Sequence, residues 1–398
     1  MKLLIDLREQ QDSEIYLSIE NLFKEKMKVI RFEGGSITAC IGCWNCWLKT
    51  PGLCVMKDQM TELYSDYMNS STVILLMDTA QGFINHQAKA FFDRSIPHYH
   101  PYIELVDGEC HHVARYKRYP DLVFYFDPAD LINKEEQVIE DYLYRTAYHF
   151  KSKAYRIVEN DSLQLQQLES RNAKNQEVPF EAIQAMEKLV IYNGSPRRSR
   201  SNSTLVLEKV VEVLQDKVEL RDLKERKNWE KWEEAFETDK HVMFFTPLYV
   251  HAMPSHVMGF IERLKPSSGS ISFFVQSGFP ESSQSYYLEA YFEQWALRMQ
   301  RTYLGTAIKG GLEGLQMRPP VAQEKMIEPL VKAIVNLMSE GKFNALDIQN
   351  LAKPIRFGKG SVVIFNLLWR SMLDLFWNHQ LKANGAYEKR FHRPWQHI

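Results

Sequence analysis

The sequence predicts an α/β protein made of two doubly wound parallel-sheet domains in tandem, closed by a helical C-terminal tail. Three observations carry that expectation. Short apolar runs alternate with amphipathic segments, the pattern of strands buried on both faces and the helices that cover them. Part of the chain repeats at nearly constant spacing. And 398 residues, 45% hydrophobic and 25% charged, are enough for two globular cores.

The repeat rests on two matched pairs. Val73-Ile74-Leu75-Leu76 leads to Phe91-Phe92-Asp93-Arg94, and Val242-Met243-Phe244-Phe245 leads to Phe260-Ile261-Glu262-Arg263 without a gap, at an offset of 169 (242 − 73). Lys2-Leu3-Leu4-Ile5 matches Lys188-Leu189-Val190-Ile191 at an offset of 186 (188 − 2). The first half therefore carries 17 extra residues (186 − 169) between its first two matched strands, and a cysteine cluster falls in that interval.

In the second half the expected order is strand 188–192, helix 202–215, strand 217–220, strand 241–245, helix 254–264, strand 271–275 and helix 285–299. The polar stretch 158–185 reads as a linker between domains at 1–157 and 186–350, and 351–398 as a helical extension rich in aromatic and basic residues.

Lys plus Arg (49) nearly cancels Asp plus Glu (50), so no field of one sign argues for nucleic acid or an anionic membrane surface. The N-terminal apolar run is cut off by charge too early for a signal peptide. The apolar stretch 361–377 contains Arg370 and Asp374, which suits a buried or partner-facing helix better than a membrane span. Four of the five cysteines lie within 40–54, unlike the spread of a secreted disulfide framework. A cytoplasmic protein, with a homodimer as one option, is the expectation.

The segment Asn193-Gly194-Ser195-Pro196-Arg197-Arg198-Ser199-Arg200-Ser201-Asn202-Ser203 leaves a strand and opens a helix. A phosphate there meets free backbone N–H groups and the positive end of a helix dipole, with Ser195, Arg197, Ser201, Asn202 and Ser203 as donors. A solvent-exposed Ser/Arg turn is the plain alternative. Two later loops, 246–254 and 276–280, leave neighbouring strands. They offer Pro247, Leu248, Tyr249, Ser277 and Gly278 to a flat ring, in the place where open α/β sheets bind ligands.

The phosphate-loop segment, followed by Thr246-Pro247-Leu248-Tyr249 and the run to Leu264, resembles the NAD(P)H-dependent FMN reductases and iron–sulfur flavoproteins of the flavodoxin-like superfamily. The resemblance covers about 188–300. It implies two tandem flavodoxin-like domains, FMN as cofactor, and NADH or NADPH as electron donor to a flavin, quinone or other acceptor. A flavodoxin-like electron carrier or redox-responsive binding protein is the alternative. No side chain is assigned as catalytic, because the flavin itself performs hydride or electron transfer.

Cys40, Cys43, Cys46 and Cys54 form C-x2-C-x2-C-x7-C, a spacing that lets thiolates converge on a [4Fe–4S] cluster or zinc. The segment also resembles the cysteine loop of the same family. The alternative is packing, with Trp44 and Trp47 beside the sulfurs. The first half departs from the family after its opening strand, reading Asp6-Leu7-Arg8-Glu9-Gln10-Gln11-Asp12 with no glycine, and Met77-Asp78-Thr79 in place of Thr246-Pro247-Leu248. That half is expected to have lost FMN binding. The second half has no cysteine. His98, His100, Cys110, His111 and His112 read as loop residues rather than a metal shell, and His251 and His256 as possible proton donors near the second-half loops.

Overall fold

The opening apolar run becomes β1 (Lys2–Asp6), a central strand of a parallel sheet in the computed structural model. The structure describes every residue except 10–12, 33–36, 160–161, 172–181, 198–200, 366–369 and 396–398. Two units are present. The first comprises Met1–Val106, His111–Asn172 and Gly360–Ile398, and the second Asp107–Cys110 and Ala173–Lys359.

In the first unit α1 (Glu14–Phe23) and β2 (Lys28–Arg31) follow β1. A long connection with α2 (Asn45–Leu48) and α3 (Gln59–Asn69) leads to β3 (Thr72–Leu76). The two-residue strands β4 (Thr79–Ala80) and β5 (Phe83–Ile84), α4 (His86–Arg94) and the hairpin of β6 (Tyr99–Val106) and β7 (Glu109–Ala114) come next. β8 (Asp121–Tyr125), α5 (Glu135–His149), β9 (Ala154–Glu159) and β10 (Leu163–Gln167) complete the sheet. Its order is β2-β1-β3-β8-β9-β10, parallel throughout except for the antiparallel edge strand β10.

The second unit's sheet uses β11 (Leu189–Asn193), β12 (Val218–Asp222), β13 (His241–Pro247), β14 (Ser270–Gln276) and β15 (Thr302–Lys309) in the parallel order β12-β11-β13-β14-β15. Its helices are α6 (Asn202–Leu214), α7 (Trp229–Phe236), α8 (Ser255–Ile261), α9 (Tyr286–Arg298), α10 (Pro320–Glu340) and α11 (Ala345–Leu351). In each unit the parallel strands therefore run 2-1-3-4-5, the doubly wound order of flavodoxin-like folds.

Local chemistry accounts for the helix limits. Asn85 caps α4 by accepting from the Ala88 amide at 3.0 Å, and Ser201 caps α6 by accepting from Thr204 at 3.0 Å. α10 starts at a proline and ends at Gly341 in the left-handed region. One layer of the second core joins Ile191, Met243 and Phe245 to Val206, Leu207, Leu330 and Ile334 of α6 and α10. No helix among the described residues is long and apolar enough to cross a membrane.

The structure corrects three expectations. The stretch read as a linker from 158 begins inside β9 and includes β10, an exposed edge strand whose sequence Leu-Gln-Leu-Gln-Gln has too few apolar residues to announce itself. The tail, set off at 351 in the sequence, is divided at 359/360: α12 (Lys359–Ile364) spans the boundary, and α13 (Arg370–Ala383) belongs to the first unit, where Trp377 packs against Trp44 and Trp47. Cys110, at the tip of the β6–β7 hairpin, counts with the second unit, where its amide donates to Glu281 Oε1 at 2.7 Å.

Candidate functional site

In a doubly wound sheet the strand order reverses between the first and third strands, leaving a crevice outside their carboxyl ends. In the second unit that point lies between β11 and β13. The Gly194 amide donates to the Phe245 carbonyl at 2.8 Å, so the loop leaving β11 is tied to the end of β13. A Cβ on Gly194 would stand 3.0 Å from Val257 Cγ2 and 3.1 Å from Thr246 Oγ1, so a side chain there would force these neighbours of α8 and β13 to give way. Beyond the turn, Asn193 Oδ1 accepts from the Ser195 amide at 3.1 Å.

The loop ends at α6. Ser201 and Ser203 are buried, and the amides of Asn202 and Ser203 lie in the first turn, where no acceptor exists within the helix. Asn202 Oδ1 is buried with no hydrogen-bond partner. Its Nδ2 donates to the Leu312 carbonyl at 2.6 Å, the Leu312 amide to Ser277 O at 3.1 Å, and the Leu248 amide to Gln276 O at 2.8 Å. Four loops, after β11, β13, β14 and β15, are thereby joined by hydrogen bonds around one end of the sheet.

All ten sequence-selected residues lie on that end. Ser195 and Arg197 are in the first loop and Ser201, Asn202 and Ser203 at the start of α6. Pro247 closes β13, Leu248 and Tyr249 follow it, and Ser277 and Gly278 follow β14. Two of these hydroxyls already accept a hydrogen bond within the unit. Ser201 Oγ is engaged as the helix cap, and Ser203 Oγ accepts from Gln276 Nε2 at 3.2 Å. Tyr249 pairs with Ala252 around a tight turn in which Val250 and His251 take φ of 40° and 59°. A β-branched residue in that region is strained and is held there by the two backbone hydrogen bonds between Tyr249 and Ala252, at 2.8 and 3.0 Å. His251 and His256 are both buried.

Sequence reasoning missed the loop after β15, Gly310-Gly311-Leu312-Glu313. Glu313 Oε1 is buried with no hydrogen-bond partner, and a Cβ on Gly278 would collide with its Oε2. Burial raises this carboxyl to about 7, against the opposing pull of Arg197. Lys309, at the end of β15, has its ammonium pKa lowered by burial. The one available signal was position: a glycine pair and an acid just past the last strand.

The first unit draws the same turn with other side chains. The Leu7 amide donates to Leu76 O at 2.9 Å, as that of Gly194 does to Phe245, and Asp6 Oδ1 accepts from the Arg8 amide at 3.0 Å, as Asn193 does from Ser195. β1 pairs Asp6 with Leu76 and β11 pairs Asn193 with Phe245, so the structural offset of these strands is 187 (193 − 6), one residue from the string match. Arg8 then folds back, its Nε and Nη2 reaching the Asp6 carboxylate at 3.0 and 2.8 Å, while the Tyr16 hydroxyl donates to the same group at 2.6 Å. The Glu9 amide donates to Asp78 Oδ2 at 2.7 Å. Here the chain's own carboxylates occupy the loop amides; residues 10–12 of this loop lie outside the described residues.

The cysteine loop follows β2. Cys43 is exposed, Cys40 and Cys54 are partly covered, and Cys46 is buried. Burial pushes the Cys40 thiol up to about 12, with Asp93 adding to the effect, and raises Cys46 as well. All four thiols interact electrostatically, so they share one neighbourhood. Among the described residues no three of their sulfurs lie within 4.8 Å of one another. Tetrahedral zinc, with Zn–S of about 2.3 Å, would need them about 3.8 Å apart. His98, His111 and His112 are held neutral by burial, and the rings of His111 and His149 stack at 3.8 Å.

No protein-family model and no curated protein sequence matches this chain. Solved structures similar to it include an NADPH-quinone reductase from P. pentosaceus, 14% identical, covering 36% of this chain and 94% of that one at a TM-score of 0.29. The Trp repressor binding protein from Bacillus subtilis is 18% identical over 38% of this chain and 97% of its own, at 0.29. An FMN-dependent NADH-azoreductase from Bacillus anthracis, in complex with FMN, is 12% identical over 38% and 99%, also at 0.29.

Proposed function

We propose that the second unit binds FMN and that the protein is an NAD(P)H-dependent oxidoreductase delivering electrons to a flavin, quinone or other small acceptor. The observation that carries this reading is the cradle at the β11/β13 switch point. There a glycine whose Cβ would crowd Val257 and Thr246 meets the open first turn of α6, where the Asn202 and Ser203 amides have no acceptor within the helix. When bound, FMN supplies the hydride and electron chemistry.

The chain's part is to hold and orient it. The amides of Asn202 and Ser203 and the Arg197 guanidinium would hold the phosphate, with charge-assisted bonds as the strong contacts. Pro247, Leu248, Tyr249, Ser277 and Gly278 would bound the ring. The Asp6 and Asp78 carboxylates repel a phosphate from the corresponding loop of the first unit, so one flavin binds per chain.

The finer part of the proposal assigns a [4Fe–4S] cluster to Cys40, Cys43, Cys46 and Cys54, exchanging electrons with the flavin. The test is anaerobic purification with flavin, iron and sulfide assays, followed by NADH and NADPH oxidation. Flavin with turnover supports the reductase. Flavin with neither nucleotide oxidised moves the reading to an electron carrier, and apoprotein that leaves FMN fluorescence unquenched overturns it.

A further inference from the structure

We propose that FMN binding to the second unit takes up a proton at Glu313, so that the site holds the flavin tightly only while this carboxyl is neutral. The inference rests on the FMN reading of the same site and adds a regulator to it.

Glu313 is held in place from two sides. The Leu312 carbonyl accepts from Asn202 Nδ2 at 2.6 Å, and the amides of Leu312 and Gly311 donate to Ser277 and Phe279 carbonyls at 3.1 and 2.9 Å. The loop that carries the carboxyl is thus pinned to the first residue of α6 and to the strand end at Ser277, both part of the flavin cradle. Within that cradle Oε2 lies against the Gly278 backbone, and Oε1 is buried without a hydrogen-bond donor. A buried carboxylate oxygen lacking a donor is costly, whereas a neutral acid needs fewer partners and can itself donate.

The groups around it set the direction of the coupling. Arg197 of the phosphate loop acts on the carboxyl electrostatically, and the bond from Asn202 Nδ2 to the adjacent Leu312 carbonyl ties the Glu313 loop to the start of α6. From α6 the neighbour is the neutral Asn202, and from the β14 loop neutral Ser277, Gly278 and Phe279; Arg198 and Arg200 lie outside the described residues. Burial outweighs Arg197 and leaves the carboxyl titrating at about 7. A flavin phosphate, with a second pKa of about 6, is close to doubly charged at pH 8 and competes for Arg197. Both effects oppose a charged Glu313, so its pKa rises further on binding. The affinity is then full below about pH 7 and falls as the pH rises above it.

The test is quenching of FMN fluorescence by apoprotein at pH 6.5 and 8.5, for wild type and Glu313→Gln. If the bound carboxyl stays protonated, wild type weakens by up to about 25-fold between these values, whereas the Gln variant binds tightly at both. Equal weakening of both proteins assigns the pH dependence to the phosphate or another group and overturns the inference. So does wild-type binding that does not change with pH. Absence of quenching by wild type at both pH values sinks the FMN reading and the inference together, a result distinct from the other two. Calorimetry of wild type at pH 8 in two buffers of different ionisation heat needs no variant: uptake of close to one proton per FMN is expected, and no uptake contradicts the proposal.

Discussion

The chain makes the same backbone turn at the end of β1 and at the end of β11, and only the side chains differ. In one, Asp6 and Asp78 accept from the loop amides and Arg8 neutralises Asp6. In the other, Asn193 organises the turn without charge, and Gly194 lets the backbone lie against Thr246 and Val257. Leu7 stands where Gly194 does, and at the repeat offset Ala88 replaces Val257, a smaller residue at the corresponding place in α4. A switch point of this kind offers loop amides to an anion. Whether an outside anion can use it depends on whether the chain has already filled it with its own carboxylates.

That contrast can be broken most severely at Gly194. Gly194→Leu, which mimics the first unit without the smaller neighbour, should abolish FMN binding by at least about 100-fold and cost about 1–3 kcal/mol of stability through overpacking. Flavin quenching and thermal melting measure the two effects. Writing the first unit's charges into the second, Asn193→Asp with Ser195→Arg, should weaken FMN by roughly 100-fold while leaving the melting temperature nearly unchanged, because the pair neutralises itself as Asp6 and Arg8 do.

A smaller effect is expected at Glu313. Its folded-state carboxyl lies above its unfolded value of 4.5, so the stability tied to its proton is present at pH 4.5 and below and is lost as pH rises through about 7. Glu313→Gln should therefore raise the melting temperature of apoprotein by a few degrees at pH 8 and little at pH 5. The smallest effect is in the reverse exchange. Asp6→Asn with Arg8→Ser should add no second flavin, since Asp78 and Leu7 remain, and a stoichiometry above that of wild type would show that charge alone separates the two loops.

Much of this was legible in the sequence. Apolar runs of four or five residues predict β1 and β3 of the first sheet and β11, β12, β13 and β14 of the second, though not β2, β8, β9 or β15, and Gly194 with Ser201, Asn202 and Ser203 marks the turn into α6. Other parts were not, for physical reasons. Strand register depends on pairing, so the string match at Lys2 and Lys188 misses the structural equivalence of Asp6 with Asn193 by one residue. A polar edge strand such as β10 needs only one covered face, and Leu163 and Leu165 are too little pattern to reveal it. Glu313 carries no periodic signal at all; its meaning comes from its closeness to Gly278, where a Cβ would meet its carboxyl, and from the hydrogen bond between Asn202 and Leu312. The contact of Trp377 with Trp44 and Trp47 joins segments more than 300 residues apart, beyond any local rule.

The central claim is that one chain holds one flavin, in its second unit. The most direct measurement is the FMN stoichiometry of apoprotein, by quenching titration at protein concentrations well above the dissociation constant, for wild type and Gly194→Leu. The account predicts one equivalent of FMN for wild type and none for the variant; two equivalents for wild type, or one that survives Gly194→Leu, would contradict it.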